Sequence, residues 1–498
     1  MKFPILTPQE AARFVKNGDN VGFSGFTASG SPKVVTEAIA ELAEAEHAAG
    51  REYKINVFTG ASTSGHADGA LARANAINRR TPYQSSPDLR KRINAHDCHY
   101  FDLHLSELSQ KMRYGFYGDL DVAIIEVCDI NDNGEVVLGM GVGNIPTYAK
   151  MAKKIILELN EKIPASVRGL HDIYLPLDPP NRREIPIFKP SDRIGSPVLK
   201  LDPEKIVGVV KSNDYDGVSP FTAPDETTLK IGHNVCRFLE SEMKAGRIPA
   251  SFLPIQSGVG NVANAVLYGL ADSDIIPAFE MYTEVIQDAV LDLMKKGKCK
   301  FGSTCSLTIS NDAEEEFFQN LDFFRDKLAL RTAEVSNNPE VVRRLGVISM
   351  NTAIEADIFG NINSTHVTGI RMMNGIGGSG DFTRNAYISI FSCPSVTKGG
   401  AISNIVPMVS HVDHTEHSVD IIITDQGIAD LRGLDPIQRA EAIIDNAANP
   451  MYRELLHDYL RTGRPGQTPH RLEAALAFHN EFNRSGDMRN VNFAEYGL

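Results

Sequence analysis

The stretch AIIEVCDINDNGEVV at residues 123–137, with GVGN shortly after it at 141–144, has a weak counterpart later in the chain. There AIEADIFGNINSTHV occupies residues 353–367, and GIGG follows at 375–378. Self-similarity of this kind, with the same elements in the same order, indicates a repeated structural unit. We therefore expect two copies of one α/β unit in this chain.

Along both halves of the chain, short β-rich apolar runs alternate with helix-length amphipathic stretches. That pattern is typical of parallel sheets covered by helices. The predicted strands of the first half are 20–23, 55–59, 122–127, 154–159 and 206–210. The second half begins with a predicted long helix at 227–245, followed by predicted strands at 275–279, 347–350, 401–406 and 421–424.

A chain of 498 residues exceeds the size at which one hydrophobic core keeps growing, so at least two domains are expected. The segment NDYDGVSPFTAPDE at 213–226 is rich in Asp, Gly and Pro and breaks both the strand and the helix periodicity. We place the domain boundary there. The predicted fold class is α/β, with two tandem open α/β domains at 1–215 and 225–498.

Charge and composition exclude several classes of protein. With 63 acidic and 50 basic residues the net charge is -13, which opposes broad binding to nucleic acid or to an anionic membrane. The N-terminal stretch does not have the pattern of a secretory signal, and no apolar run reaches the length of a membrane span. The six scattered cysteines suit a reducing compartment. We expect a cytoplasmic protein with free thiols.

Five glycine-rich turns are candidates for ligand contact: 24–32, 59–65, 141–144, 256–266 and 374–381. Glycine lets backbone amides approach an anion closely, although a single such turn is more often a tight strand-to-helix connection. None of the five matches a phosphate-loop or dinucleotide fingerprint. The turn NGIGGSGD at 374–381 is the most suggestive, because it offers several amides and little side-chain bulk.

The stretch MYTEVIQDAVLDLMKKG at 281–297 predicts a helix with Thr283 as N-cap and Gly297 as C-cap. In this interpretation Glu284 lies in the first turn, where a carboxylate is explained by the helix dipole alone. The segment SHVDHTEH at 410–417 invites a metal interpretation through His411, His414 and His417. Their spacing fits no common ligand pattern, so we expect no metal site.

Several longer motifs are more specific than these local patterns. They are QSGVGNVANAV (256–266), TEVIQD (283–288), VSNNPE (335–340), MNGIGGSGDF (373–382), VPMVSHVDHTEH (406–417) and ADLRGL (429–434). In this order they resemble the acetyl-CoA hydrolase/transferase family, which are class I CoA-transferases of the succinyl-CoA:acetate and propionyl-CoA:succinate type. The resemblance runs from SGFTASGSPK at 24–33 to the C-terminal helices, nearly the whole chain.

The resemblance implies two open α/β domains with the active site between them, and commonly a homodimer. It makes Glu284 the nucleophile that attacks the acyl-CoA thioester and carries CoA in a glutamyl thioester. Gly378 resembles the amide that stabilises the oxyanion, and Asn337 falls at a family position near the site. The family positions implied for CoA binding are Gly258, Val259, Gly260, Asn261, Val262, Ile354, Asn374, Gly378 and Lys398.

One departure from the family pattern lies at Thr424-Asp425-Gln426-Gly427, where the family usually has Thr-Glu-Gln/Arg-Gly. Asp425 is therefore a shortened carboxylate at a position implied to lie near the acyl site, or else a turn acid at the end of a strand.

The expected activity is CoA transfer between small carboxylic acids by a ping-pong mechanism, with succinyl-CoA and acetate preferred and propionyl-CoA and succinate next. Such an exchange is nearly balanced in energy, so no cofactor is expected beyond CoA itself as substrate and covalent intermediate. The alternatives are an acyl-CoA hydrolase and a catalytically silent protein that binds CoA esters. The expected partners are an acyl-CoA and a carboxylate, with neither nucleic acid nor membrane.

Overall fold

The computed structural model describes residues 2–218 and 223–497. Residues 219–222, inside the predicted boundary segment 213–226, lie outside the described residues. The chain forms two compact units. The first unit comprises Met1–Pro220, Glu280–Leu345 and Asn374–Asp381, and the second comprises Phe221–Phe279, Gly346–Met373 and Phe382–Leu498. The domain ranges 1–215 and 225–498 remain a prediction. In the structure two segments of the second half of the chain, Glu280–Leu345 and Asn374–Asp381, belong to the first unit.

The strands, in chain order, are β1 Asn20–Phe23, β2 Ile55–Phe58, β3 Ile77–Thr81, β4 His99–Tyr100, β5 Val122–Ile130, β6 Glu135–Leu138, β7 Lys154–Asn160, β8 His171–Asp172, β9 Leu199–Lys200, β10 Ile206–Ser212, β11 Ile255–Ser257, β12 Phe279–Tyr282, β13 Val285–Ile286, β14 Cys299–Thr304, β15 Ser306–Leu307, β16 Leu328–Arg331, β17 Ile348–Thr352, β18 Glu355–Asp357, β19 Ile362–Asn363, β20 His366–Val367, β21 Arg371–Met372, β22 Ile388–Ser392, β23 Val396–Thr397, β24 Ile402–Ser403, β25 Ile405–Val406, β26 Ile421–Ile423 and β27 Ile428–Asp430.

The helices, in chain order, are α1 Pro8–Ala12, α2 Val34–Ala48, α3 Ala70–Arg73, α4 Pro87–Asn94, α5 Leu108–Arg113, α6 Ile145–Met151, α7 Glu226–Lys244, α8 Asn261–Asp272, α9 Asp288–Lys295, α10 Asn311–Gln319, α11 Leu321–Arg325, α12 Ala333–Ser336, α13 Pro339–Leu345, α14 Ser379–Thr383, α15 Pro436–Asn446, α16 Pro450–Arg461 and α17 Ala477–Ser485. Among the described residues, no helix is long and apolar enough to cross a membrane.

The first unit is built on a parallel sheet with the strand order β10-β7-β5-β1-β2-β3-β4. Off this order, β6 pairs antiparallel with the C-terminal part of β5, and β9 pairs antiparallel with β6. Its central strand β5 is buried from Val122 through Cys128, as expected for a parallel strand covered on both faces. Helix α2 packs its buried face, including Val35 and Ile39, into this core. The same unit holds β14, β16 and β8, which pair in parallel in that order.

The second unit contains the strand order β27-β26-β22-β17-β11. All neighbours in this set pair in parallel except β26 and β27, which are antiparallel. A buried apolar cluster joins these strands to α15, α16 and α17, with Ile443, Tyr452 and Phe478 among its fully buried side chains. The predicted α/β class with open, mainly parallel sheets is confirmed.

Most of the predicted strands are present within one to three residues of their expected ends, but two differ. The strand predicted at 275–279 is wrong for residues 275–278, since β12 begins only at Phe279. Pro277 lacks the backbone N–H that a ladder position requires. The strand predicted at 401–406 is instead two short strands, β24 and β25.

The two similar stretches at 123–137 and 353–367 share one local feature. Each contains an antiparallel strand pair, β5 with β6 in the first stretch and β18 with β19 in the second. Internal duplication remains a hypothesis, to which this shared pairing gives a structural basis.

Candidate active site

Glu284 does not lie in a helix, so the predicted helix at 281–297 is wrong for residues 281–287, including Thr283 as N-cap. Residues 288–295 are helical, and Gly297 follows the end of that helix as predicted. The residue stands between β12 and β13, and α9 begins only at Asp288 with Gln287 as its N-cap. The β-branched residues Val285 and Ile286 pair in parallel with β15, which overrides the helical pattern of the following residues. The helix-dipole explanation of Glu284 therefore has no structural basis.

The backbone of Glu284 is held by two hydrogen bonds to its carbonyl oxygen. Its carbonyl oxygen accepts hydrogen bonds from the Cys305 N–H at 3.0 Å and from the Thr304 hydroxyl at 2.9 Å. These two hydrogen bonds hold the main chain at Glu284, so only its side chain can move. Positioning of this kind suits a reactive group, because its geometry is set before a substrate arrives.

The carboxylate of Glu284 is held by Asn337. The Asn337 Nδ2 donates to Glu284 Oε2 at 2.5 Å, and the Ser336 hydroxyl donates to Asn337 Oδ1 at 2.8 Å. Because its oxygen is taken by a donor, the Asn337 amide turns its NH₂ group toward the carboxylate. Asn337 is completely buried, whereas Glu284 is partly exposed. Glu284 can therefore be reached from outside while its partner cannot.

Gly378 lies directly against this carboxylate. A Cβ atom built on Gly378 would overlap both Glu284 Oε2 and Asn337 Nδ2. The turn that carries Gly378 is fastened by the Ile376 N–H, which donates to Asp102 Oδ2 at 2.8 Å. Only glycine allows the backbone to approach Glu284 this closely. The structure thus brings together Glu284, Asn337 and Gly378, three of the residues predicted from the sequence.

Burial dominates the electrostatics of the site. Desolvation raises the pKa of Glu284 to about 7, and the hydrogen bond from Asn337 opposes that rise. Desolvation also raises the pKa of Asp381 to about 7, with the hydrogen bonds from Ser106 opposing it and the Glu284 charge adding to it. The pKa of Tyr83 is raised to about 12 by burial and by the Glu284 charge, so its phenol stays protonated. A carboxylate that ionises near neutral pH is typical of functional sites.

Three of the glycine-rich turns pack together in the first unit. The Gly60 N–H donates to the Gly25 carbonyl at 3.1 Å, and a Cβ atom at Gly60 would overlap that carbonyl oxygen. Likewise a Cβ atom at Gly141 would overlap the Ser29 carbonyl oxygen. These glycines at 24–32, 59–65 and 141–144 therefore serve close backbone packing. Around them lies an apolar cluster that contains Phe26, Ala61, Leu105, Val285, Cys305 and Ala333, with Tyr83 at its edge.

The residues predicted to bind CoA lie mostly in the second unit. Residues 258–260 connect β11 to α8, with Gly260 in the left-handed region at φ 111° as the N-cap, and Asn261 and Val262 are the first two residues of α8. The Gly258 N–H donates to the Met350 carbonyl at 3.0 Å, and Val259 is 49% exposed. Val262 and Met350 also line a small pocket at the ends of β11, β17 and β22. This turn presents the N-terminus of a helix after a strand, an arrangement that suits an anionic ligand.

The remaining predicted residues are placed as follows. Ile354 is held between β17 and β18, where its carbonyl accepts from Asn404 Nδ2 at 2.9 Å. Lys398 is exposed, and its ammonium group lies 4.9 Å from the centre of the Phe482 ring. Asn374, in the first unit, donates through its side chain to the Gly375 carbonyl at 2.9 Å.

Asp425, in the second unit, binds the residue Ser395. Its carboxylate accepts from the Ser395 N–H at 2.6 Å and from the Ser395 hydroxyl at 3.1 Å. The Gln426 side chain donates to the same carboxylate at 2.6 Å. Asp425 therefore holds the start of the β23 loop in place and is still partly exposed.

The histidines of 410–417 do not converge. His411 stacks on His366 with 4.0 Å between ring centres, whereas His414 is buried against Phe391 and His417 is exposed. Within 2–218 and 223–497 there is no group of three or more His, Cys, Asp or Glu side chains that could hold a metal ion.

Two residues of the site were not singled out from the sequence. Asp381 belongs to the motif MNGIGGSGDF, in which the prediction concerned only Asn374 and the glycines. Ser106, which donates to Asp381, lies in a segment without any recognisable motif. Proximity in the fold was needed to find it.

Two solved structures share this architecture. The crystal structure of RipA from Yersinia pestis matches with a TM-score of 0.70 at 20% identity, covering 91% of this chain and 96% of that one. A 4-hydroxybutyrate CoA-transferase from Porphyromonas gingivalis matches with a TM-score of 0.61 at 20% identity, covering 92% and 97%. At this identity the comparison defines the fold: that of the CoA-transferase class.

Sequence comparison is more specific. Residues 2–211 match the acetyl-CoA hydrolase/transferase N-terminal domain, and residues 314–460 match the C-terminal domain. The propanoyl-CoA:succinate CoA transferase of Escherichia coli is 49% identical over 97% of this chain and 98% of its own length. The succinyl-CoA:acetate CoA-transferase of Clostridium kluyveri is 46% identical over 97% and 90%. The chain belongs to the acetyl-CoA hydrolase/transferase family.

Proposed function

We propose that this protein is an acyl-CoA:carboxylate CoA-transferase that uses Glu284 as its covalent nucleophile. The observation that carries the proposal is the Glu284 carboxylate itself: partly exposed, desolvated, held by Asn337 and covered by the backbone of Gly378. Two relatives of 46% and 49% identity bear the names of CoA-transferases, which supports the same reaction.

The proposed reaction proceeds by ping-pong exchange. A Glu284 carboxylate oxygen attacks the thioester carbonyl carbon of the donor acyl-CoA, the carbon–sulfur bond breaks, and CoA leaves as a thiolate. This step leaves a mixed anhydride between Glu284 and the donor acyl group. The thiolate then attacks the Glu284 side-chain carbonyl carbon and expels the donor acid as its carboxylate, which leaves a glutamyl-CoA thioester. An acceptor carboxylate reverses both steps and departs as the new acyl-CoA.

The environment of Glu284 suits these steps. Desolvation removes water that would otherwise shield the carboxylate, and Asn337 limits its orientations. Each attack creates an oxyanion, for which we assign the Gly378 amide as donor. An amide of this kind contributes on the order of 10²–10³ in rate.

For CoA itself we propose the residues Gly258, Val259, Gly260, Asn261, Val262, Ile354, Asn374, Gly378 and Lys398. The support lies in the exposed turn before α8 and in the exposed ammonium group of Lys398. The preferred pair is succinyl-CoA with acetate, followed by propionyl-CoA with succinate, in line with the names of the two bacterial relatives. Small acyl groups differ by only ~1–3 kcal/mol in an apolar pocket, so a donor-by-acceptor matrix is needed to rank them.

The second candidate function is acyl-CoA hydrolysis. Relatives in yeasts, such as one from Candida glabrata that is 42% identical over 97% of this chain, bear the name acetyl-CoA hydrolase. In that reaction water resolves the intermediate instead of a carboxylate. Measuring CoA release from acetyl-CoA with and without succinate, beside formation of succinyl-CoA, separates the two activities.

We further propose a cytoplasmic homodimer without a resident metal or cofactor. The six cysteines, all buried as free thiols, suit a reducing compartment. The exchange of one acyl bond for a similar one needs no metal. Transfer activity should survive exhaustive chelation, and loss of activity together with stoichiometric zinc would contradict this.

The test of the proposed function is the covalent adduct. Incubation with acyl-CoA alone should leave CoA attached to the peptide that contains Glu284, as seen by peptide mass spectrometry. Glu284→Gln should abolish both adduct and transfer, because an amide cannot form the anhydride. Glu280→Gln is the matched control, since Glu280 lies four residues earlier and burial also raises its pKa. An adduct on another residue, or full transfer without adduct, would refute the assignment.

A further inference from the structure

A second buried carboxyl group, Asp381, lies beside Glu284 and has no part in the reaction described above. Asp381 is 4% exposed, so it cannot meet an acyl group directly. The Ser106 hydroxyl donates to its Oδ1 at 2.6 Å, and the Ser106 N–H donates to its Oδ2 at 3.0 Å. Two hydrogen bonds from one residue fix the plane of this carboxyl group in the protein interior.

The two carboxyl groups share one amide. Asn337 Nδ2 lies 2.5 Å from Glu284 Oε2 and 3.5 Å from Asp381 Oδ2. A primary amide has two N–H bonds, so Asn337 can direct one toward each carboxyl group. Its oxygen is occupied by the Ser336 hydroxyl, which prevents the amide from flipping. The result is a chain from Ser106 through Asp381 and Asn337 to Glu284.

We propose that Asp381 is a positioning residue for the nucleophile: it holds the Asn337 amide in place and, by its own negative charge, opposes the ionisation of Glu284. This rests on the proposed function, because it concerns how Glu284 is prepared for acyl transfer. During each cycle Glu284 loses its charge when it becomes an anhydride and then a thioester. Asp381 is then the carboxylate that still accepts from Asn337, so the amide keeps its place until Glu284 is regenerated.

The charge relationship is reciprocal. Burial is the main cause of the raised pKa of both groups, and the Glu284 charge is a further cause for Asp381. Two like charges bridged by one amide disfavour double ionisation, so the two groups titrate as a pair. Acylation of Glu284 removes one of the two charges and so relieves their repulsion. The pair thereby favours the covalent state over the free carboxylate.

The test is Asp381→Asn, with Asp288→Asn as matched control. Asp288 accepts from the Ser310 N–H at 2.9 Å and from the Ser310 hydroxyl at 2.6 Å, which is the same hydrogen-bond pattern without an Asn337 neighbour. For Asp381→Asn we expect kcat to fall about 10–100-fold at pH 7 with the KM for acyl-CoA nearly unchanged. We also expect the acidic limb of kcat/KM to move to lower pH, because a negative neighbour of Glu284 is gone. The control should show neither change.

A purely structural role would lower the thermal midpoint and the amount of active enzyme without moving the acidic limb, and that result would overturn the proposal. So would a folded Asp381→Asn enzyme with the kinetics of the control. If Asp381→Asn does not fold, Ser106→Ala removes only one donor, and an unchanged kcat in that variant would equally overturn it. Failure of the proposed function is a separate result: the wild-type enzyme would then form no CoA adduct at Glu284.

Discussion

The Cα of Gly378 faces Oε2 of Glu284 so closely that a Cβ atom on Gly378 would overlap the carboxylate. Glu284 is thus covered by main chain on this side and not by a side chain. A backbone amide cannot rotate away as a side chain can, and it costs little reorganisation when an oxyanion forms beside it. The same contact makes position 378 intolerant of any residue except glycine.

Gly378→Ala should therefore lower the rate of transfer by on the order of 10² while the protein remains folded. The added methyl group has to displace either the Glu284 carboxylate or the Asn337 amide, and a misplacement of about 1 Å costs on the order of 10² in rate. Steady-state transfer and circular dichroism measure the two properties. Gly466→Ala is the control, because a Cβ atom there meets nothing within 4 Å. Wild-type activity in Gly378→Ala would contradict the placement of Gly378 against the nucleophile.

The pH dependence of kcat/KM should have an acidic limb near neutrality. In the proposed reaction Glu284 attacks as a carboxylate, and desolvation raises its pKa to about 7. Activity should thus rise as pH increases through about 7, instead of levelling off near the usual carboxyl pKa. Because Asp381 is coupled to Glu284, the limb reports a macroscopic value for the pair. Initial rates between pH 5 and 9 provide the measurement, and an activity plateau that already begins at about pH 5 would contradict the environment described.

Replacing Glu284, the proposed nucleophile, should stabilise the protein above neutral pH. The pKa of Glu284 is raised from 4.5 to about 7 in the folded state, so the folded state holds its proton more tightly than the unfolded state does. Wild-type stability therefore falls as pH rises through this interval. Glu284→Gln carries no charge at this position. Its free energy of unfolding, compared with that of the wild-type protein, should therefore be about 1–3 kcal/mol more favourable at pH 8 than at pH 4. Urea unfolding of both proteins at the two pH values measures this. An equal difference between variant and wild type at both pH values would contradict the prediction.

The sequence predicted the strands of the first half well because their apolar runs are long and bounded by turn residues, as in β5. The prediction around Glu284 was wrong, since a threonine at 283 followed by an acid at Asp288 is typical of the start of a helix. There tertiary pairing of Val285 and Ile286 with β15 outweighs local helix propensity. Short apolar segments of this kind are ambiguous until the partner strand is known.

The chemistry of the site was predictable only in part. Motifs with a family resemblance led to Glu284, Asn337 and Gly378, which the structure places in contact. Ser106 lies 275 positions before Asp381 in the chain, and nothing in its local sequence connects the two. Contacts between distant segments depend on the packed fold. The place of Asp381 in the site was not predicted for a different reason. An acid after a glycine-rich turn is usually explained by its favourable position at the start of a helix.

The last prediction concerns Asp425, where the family usually has glutamate. Its carboxylate accepts two hydrogen bonds from Ser395 and remains partly exposed, so its position is set by the short side chain. Asp425→Glu adds one methylene group of about 1.5 Å, which breaks this geometry and extends the carboxylate. We expect changed acceptor kinetics, seen as a different KM for the acceptor or a different ratio of transfer to hydrolysis, with CoA affinity nearly unchanged.

The matched control for this change is Asp420→Glu. Asp420 also accepts a backbone N–H, from Ser389 at 2.9 Å, but lies at the opposite end of β26 from Asp425. It should therefore leave the acceptor kinetics as they are in the wild-type enzyme. Acceptor saturation curves at a fixed donor concentration, together with the rate of CoA release without acceptor, give both quantities. If Asp425→Glu matches the control in both, Asp425 acts only as a turn acid that holds Ser395, and its role in the acceptor step is refuted.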